Sequence, residues 1–212
     1  MQNVTIRLET KVDHRIVEEL TREAFWNLYV PGCSEHLILH KLRNSPDFIP
    51  ELDFVAVCDG KIVGNIVFSK SKVVGNDGRE FPTITFGPLS VLPEYQKQGI
   101  GAVLVNHSIK EATAMGFSAI FIYGFPGYYQ RFGFKSASAY KVSRPDGKFA
   151  KAMMALPLQN GALENVSGRL FESPDFEAEP DGVEEFDATF PPKEKKVTES
   201  QKQFEVMADW LE

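Results

Sequence analysis

Polar and apolar residues alternate over Thr5–Leu8 before the chain turns polar, the mark of a short, half-buried strand. Beyond Asp13 the period changes. Ile16, Val17, Leu20 and Ala24 recur at helical spacing, which predicts a helix from His14 to Phe25 with Asp13 as its N-cap. Pro31-Gly32 interrupts the chain, and Ser34 then offers a cap for a second helix over Glu35–Arg43, closed off by Pro46 and Pro50. Phe54–Cys58 and Lys61–Ser69 are strand-like runs on either side of a two-residue Asp59-Gly60 turn, which predicts a hairpin. Asn76-Asp77-Gly78 marks another turn, and Phe81–Leu92 continues the meander as a third extended segment.

After Pro93 the order becomes strand, helix, strand. Gly99-Ile100-Gly101 opens a helical run, Ala102–Met115, that Gly116 terminates. Ser118–Tyr123 is almost wholly apolar, as a strand covered on both faces must be. A strand, a helix and a further strand imply a parallel crossover. The expected fold is therefore α/β in the α+β sense: a mixed sheet in which an antiparallel meander leads into one parallel pair, with helices packed on it. Lys151–Leu158 suits a further strand. Past Pro157 periodicity fades until Glu199–Leu211, where Phe204, Met207, Ala208 and Leu211 suit a terminal helix. Glu172–Lys196 is rich in Pro, Asp and Glu and is expected to lack regular structure. The chain divides into a domain over 1–158 and an acidic extension over 159–212 with a short terminal helix.

Composition narrows the function classes. With 212 residues, 43% hydrophobic and 25% charged, the chain can build one core without a disulfide or metal staple. Cys33 and Cys58 form no disulfide framework and show no zinc-type spacing. No apolar run approaches the ~20 residues that cross a bilayer, and MQNVTIRLETK holds no apolar stretch of signal-peptide length. A cytoplasmic protein without a membrane partner is expected. Residues 1–160 carry 18 Lys+Arg against 15 Asp+Glu, whereas residues 161–212 carry 5 against 14. No basic field large enough to neutralise several phosphates is present, which argues against nucleic acid as a partner. The acidic end reads as a solvated surface.

The stretch that carries chemistry is Pro93-Glu-Tyr-Gln96-Lys-Gln-Gly99-Ile-Gly101-Ala102. A strand ends, a glycine loop follows, and a helix starts with its first N–H groups unpaired. Such a place binds phosphate through backbone amides and the positive helix end. A P-loop would need Lys-Ser/Thr after the last glycine, and here Ala102 and Val103 follow Gly101. A dinucleotide fingerprint would need a small residue at Leu104. A phosphate loop and a tight strand-to-helix turn both remain open on these residues alone.

In Gln96-Lys97-Gln98-Gly99-Ile100-Gly101 the chain resembles the GNAT N-acetyltransferase superfamily, whose coenzyme loop reads Gln/Arg-x-x-Gly-x-Gly/Ala. Phe86-Gly87-Pro88-Leu89-Ser90-Val91-Leu92-Pro93 is similar to the strand before that loop. Gly127-Tyr128-Tyr129-Gln130-Arg131-Phe132-Gly133-Phe134 is similar to the family's later tyrosine element, in a bacterial-type Tyr-Tyr-x-Arg-Phe-Gly-Phe form. The resemblance spans roughly residues 3–158.

The resemblance implies acetyl-CoA as co-substrate, no metal, and direct transfer to a primary amine of a small molecule or peptide. Backbone groups of Leu89 and Val91 would bond the pantetheine arm along the free edge of a splayed parallel pair. Amides of Gln98, Gly99, Ile100, Gly101 and Ala102, with Gln96 and Lys97 lining the loop, would hold the diphosphate. Tyr129 would be the general acid for the departing thiolate, because a phenol of pKa near ~10 keeps its proton at neutral pH. Tyr128 would be a wall, and Arg131 either a phosphate partner or a solvated cation.

The general base is not legible. Phe81–Val91 contains no acid, so Glu35, His36 and Glu51 are the candidates. His36 and His40 share a helix face without a zinc-protease motif, and Cys33 has no part in direct transfer. Phe25, Trp26 and Tyr29 form either an acceptor wall or ordinary helix packing. A homodimer is left open, and a non-catalytic acyl-CoA sensor is the alternative function.

Overall fold

The alternation at the N-terminus becomes β1 (Val4–Leu8) in the computed structural model, which describes residues 3–202. The helical period becomes α1 (His14–Phe25), followed by α2 (Glu35–Leu42). β2 (Phe54–Cys58) and β3 (Lys61–Val74) form the predicted hairpin, and β4 (Glu80–Val91) extends the meander. α3 (Ile100–Ala114) crosses over to β5 (Ala119–Tyr123). Then come the one-turn α4 (Pro126–Tyr129), the two-residue β6 (Lys135–Ser136) and β7 (Val142–Ser143), and β8 (Met153–Pro157). β9 (Gly168–Phe171) and α5 (Pro180–Asp187) complete the described elements.

The strands form one sheet in the order β1-β2-β3-β4-β5-β8-β6. β4 and β5 run parallel, as the crossover requires, and the meander before them is antiparallel. A second parallel pair, β7 with β9, was not foreseen. α1 and α3 lie on opposite faces. Ser90 donates to Thr21 of α1 at 3.0 Å, while the next residue, Val91, meets Gly101 of α3, and successive strand residues face opposite ways. Leu39, Leu42, Val55, Phe68, Leu104 and Ile120 are fully buried between these layers. Among the described residues, no helix is long and apolar enough to cross a membrane.

Three local expectations need correction. Asp13 precedes α1 without capping it: its carboxylate turns back to the Thr10 N–H (2.9 Å) and hydroxyl (2.6 Å) and pairs with Arg7 at 2.7 Å. The Arg7 guanidinium and the Thr10 donors hold that carboxyl well below the usual carboxylate range. Ser34 does not cap α2 either; its N–H donates to Glu35 at 3.0 Å.

The third correction concerns the segment expected to be irregular. Within 172–196, α5 packs on α2 through Phe186, whose ring lies 5.3 Å from that of His36 and 4.7 Å from that of His40. Just before it, β9 adds to the far end of β3 with Leu170 opposite Val73. The terminal helix has begun by Glu199, and the rest of its expected range lies outside the described residues.

Candidate active site

β4 and β5 keep register only at Ile84–Ile120 and Thr85–Phe121. Beyond Thr85, β4 continues to Val91 against β3, and β5 continues to Tyr123 against β8. The facing edges have parted, leaving a slot. Leu92 donates its N–H to Val63 of β3 at 2.9 Å. Backbone groups alternate sides along a strand, so those of Val91 and Leu89 point toward the slot. The Val91 carbonyl is already used: Gln96 Nε2 donates to it at 3.0 Å. Gln96 thus shapes the loop, and Gln98 does likewise by donating to Glu94 O at 2.9 Å.

The loop delivers the chain to α3 through two left-handed residues, Lys97 (φ 60°) and Gly99 (φ 90°). Gly99 is the N-cap, and no side chain caps the helix. Its first backbone bond is Val103 N–H to Gly99 O at 3.0 Å, so the N–H groups ahead of it project from the helix start. Gly99 has open space around it, and Gln96, Lys97 and Gln98 are exposed. Ile100 differs: its side chain is buried in the core, so it offers the site only its amide. Gly101 and Ala102 are half-buried on the first turn. An uncapped helix start, bare glycines and a free strand edge together fit a diphosphate on an extended amide-bearing arm. Among the described residues, no group of three His, Cys, Asp or Glu could hold a metal.

Across the slot, Tyr129 ends α4. Its ring packs among Phe86 (5.8 Å between centroids), Phe134 (5.8 Å) and Tyr128 (4.9 Å). Burial first, then the neighbouring Tyr128 and Tyr29 phenols, push its hydroxyl above the ordinary phenol value. It stays protonated at neutral pH, as a proton donor must. Tyr128 spans the slot, because a Cβ on Gly101 would stand 2.8 Å from its hydroxyl. Arg131 stacks on Tyr128, its guanidinium carbon 4.2 Å from the ring centroid, and donates to the Tyr128 carbonyl at 2.8 Å.

Sequence reasoning missed Gly124. A Cβ there would come 2.3 Å from the Tyr129 ring, so only glycine leaves the ring its place. A lone glycine after a strand carries no signal for that contact.

The other candidates scatter. His36 is fully buried between α1, α2 and α5, with Nε2 3.3 Å from Asp187 and Nδ1 3.4 Å from the Cys33 sulfur. Burial lowers its pKa to about 4, which outweighs the attraction of Asp187. Burial pushes the Cys33 thiol up to about 12, unsuited to nucleophilic work. Glu51 is exposed in the Pro50–Leu52 turn. Glu35 is raised by burial, and its carboxylate accepts the Ser34 N–H. Of the aromatic trio, Tyr29 lies near enough to Tyr129 to influence it, whereas Trp26 donates to Glu194 O at 2.9 Å.

Residues 51–136 match the family described as acetyltransferase (GNAT) domain. A curated relative, the uncharacterized N-acetyltransferase YjhQ of Escherichia coli (strain K12), is 29% identical over 142 residues, covering 66% of this chain and 75% of the relative. The crystal structure of the GNAT family N-acetyltransferase YhbS from Escherichia coli in complex with CoA superposes with a TM-score of 0.73 at 25% identity, covering 83% of this chain and 93% of that one. A GNAT family acetyltransferase from Brucella melitensis in complex with acetyl-CoA gives 0.67 at 26% identity, covering 84% and 100%.

Proposed function

Because this chain belongs to the GNAT superfamily of N-acetyltransferases, we propose that it transfers an acetyl group from acetyl-CoA directly to a primary amine of a small molecule or peptide. The observation that carries this reading is the slot between β4 and β5, with the uncapped start of α3 on one lip and Tyr129 on the other. Acetyl-CoA supplies a thioester, an acyl donor activated toward amines. The amides of Gln98 to Ala102 hold its diphosphate, using the positive end of α3 in place of a metal ion. The slot-facing edge of Leu89 and Val91 bonds its amide arm as an added strand would. Val91 contributes only its N–H, its carbonyl being engaged by Gln96. Tyr129 Oη gives its proton to the departing sulfur.

The test is release of free thiol from acetyl-CoA with a panel of primary amines, wild type against Tyr129→Phe. We expect turnover on at least one amine and a fall in kcat of about 100-fold in the variant, with acetyl-CoA affinity retained. Tight acetyl-CoA binding without turnover on any amine would replace this reading with the coenzyme-sensor alternative.

A further inference from the structure

The slot has two sides, and the acid stands on only one. Phe86, against which Tyr129 packs, pairs with Phe68 and shares the α3 face with Gly64, whose Cβ would meet Leu104 and Ile100 of that helix. Thr85 faces the opposite way, toward α1 and α2, at the last residue before β4 and β5 part. Its register partner is Ser69. Both are buried, at 2% and 0% exposure, and neither hydroxyl has a hydrogen-bond partner among the described residues. The next rung of the same face, Ser71 and Thr83, is satisfied internally by a 2.8 Å hydroxyl pair. Two orphaned hydroxyls in a core cost about 1–3 kcal/mol each, so their persistence at the apex of the slot calls for something polar to meet them.

The polar group beside them is a carboxylate from outside the 51–136 match. β9 runs antiparallel to β3 with Leu170 opposite Val73 and Phe171 opposite Lys72. The next position carries Glu172 onto the face of Ser71, Ser69 and Thr85. Glu172 and the Thr85 hydroxyl act on one another without a formed hydrogen bond, and Glu172 also acts on Tyr123, the last residue of β5. The 3₁₀ turn that follows, Pro174–Phe176, sets Phe176 against Gly87 and fixes the segment on α2 through Lys41–Asp175 (3.8 Å) and on the turn after α2 through Ser45···Ser173 (3.3 Å).

We propose that Glu172 is the base that accepts the proton of the acceptor amine, with Thr85 and Ser69 holding amine and carboxylate together at the apex of the slot. This rests on the acetyl-transfer reading above. The amine nitrogen forms a bond to the acetyl carbon and the carbon–sulfur bond breaks. The nitrogen's proton goes to Glu172 on the α1–α2 side, and the sulfur takes a proton from Tyr129 on the α3 side. Amine and thioester thus become amide and thiol, and solvent returns the proton from Glu172 to Tyr129. Burial, against the Thr85 hydroxyl, raises the Glu172 pKa to about 7, so it exchanges a proton readily near neutrality. The titratable group facing it is Tyr123, which Arg144 and Asp146 flank; on the α2 side Lys41 is paired with Asp175.

The decisive comparison is kcat/KM against pH, from about pH 5.5 to about 9, for wild type, Glu172→Gln and Thr85→Val, with acetyl-CoA affinity measured calorimetrically on each. We expect Glu172→Gln to bind acetyl-CoA as wild type does, to lose about 100-fold in kcat, and to lose an acidic limb that lies near pH 7 in wild type. A limb belonging to the amine's own ionisation stays in both. Thr85→Val removes a hydroxyl that favours the charged carboxylate, so its limb should move to higher pH. If Glu172→Gln keeps the wild-type rate and limb, Glu172 is not the base. Should that variant fail to fold, an unmoved limb in Thr85→Val overturns the assignment equally. Wild type without turnover on any amine removes the acetyl-transfer reading itself, and the base with it.

Discussion

Gly101 and Gly99 should answer the same substitution in different ways. A Cβ on Gly101 would press on the Tyr128 hydroxyl at 2.8 Å, at the first turn of α3. The backbone there is helical and accepts valine, so Gly101→Val should weaken acetyl-CoA binding by about tenfold or more with little change in melting temperature. Gly99 has free space but a φ of 90°, which costs an L-residue roughly 1–3 kcal/mol. Gly99→Val should therefore weaken binding and lower the melting temperature as well. Calorimetric titration beside a thermal melt separates the two, and unimpaired binding in both would remove the loop from the coenzyme site. These glycines were legible because the information is local: a strand end, two glycines and a helical run within a few residues. Gly124 and Thr85 were not, since what singles them out is a ring five residues on and a carboxylate 87 residues on.

Elements with long periodic stretches were read from the chain to within a residue or two at most ends, except that β3 runs on to Val74, five residues past the expected Ser69. The hairpin at Asp59-Gly60, α1 and α3 appear where pattern and turn chemistry put them. β9 and α5 were not read. β9 has only two inward positions, too few for alternation to stand out. α5 offers only Val183 and Phe186 as apolar anchors in eight residues. What holds it is a contact that no local pattern contains. Asp187 pairs with Arg22 of α1 at 2.6 Å, with their side chains 15% and 5% exposed. Arg22 also lies over Trp26 at 4.3 Å from the ring centroid. Removing the acid leaves a buried guanidinium without its counter-charge, at a cost of about 3 kcal/mol. Asp187→Ala should lower the melting temperature by roughly 10 °C. A drop within about 2 °C would mean that α5 is held by Phe186 and Phe190 alone.

At the scale of the whole molecule, charge sets how the fold tolerates pH. Glu9 and Asp53 meet beside Arg43, where Arg43 pairs with Glu9 and Asn65 donates to Asp53 at 3.0 Å. Two buried carboxylates at one cation do not both ionise easily. Burial, then Asp53, push Glu9 well above the ordinary glutamate range, outweighing Arg43. A carboxyl raised by folding favours the native state while protonated, and that contribution is lost as pH climbs from the ordinary glutamate range through the raised value. Glu9→Gln carries no such burden. Its melting temperature relative to wild type should rise between about pH 5 and about 8.5, and a flat difference would show that Glu9 is ionised throughout.

The two faces of the sheet draw on separate lengths of polypeptide. The glycine loop, α3 and Tyr129 come from one continuous run, 96–129, while α1, α2 and the stretch from β9 to α5 line the opposite side. In the acetyl-transfer reading proposed above, donor grip and acceptor choice are thereby written in different parts of the chain. Drift in the outer segments can change which amine is accepted without loosening the hold on the acyl carrier, and chimaeras that exchange only those segments would carry a new selectivity onto an unaltered donor cradle.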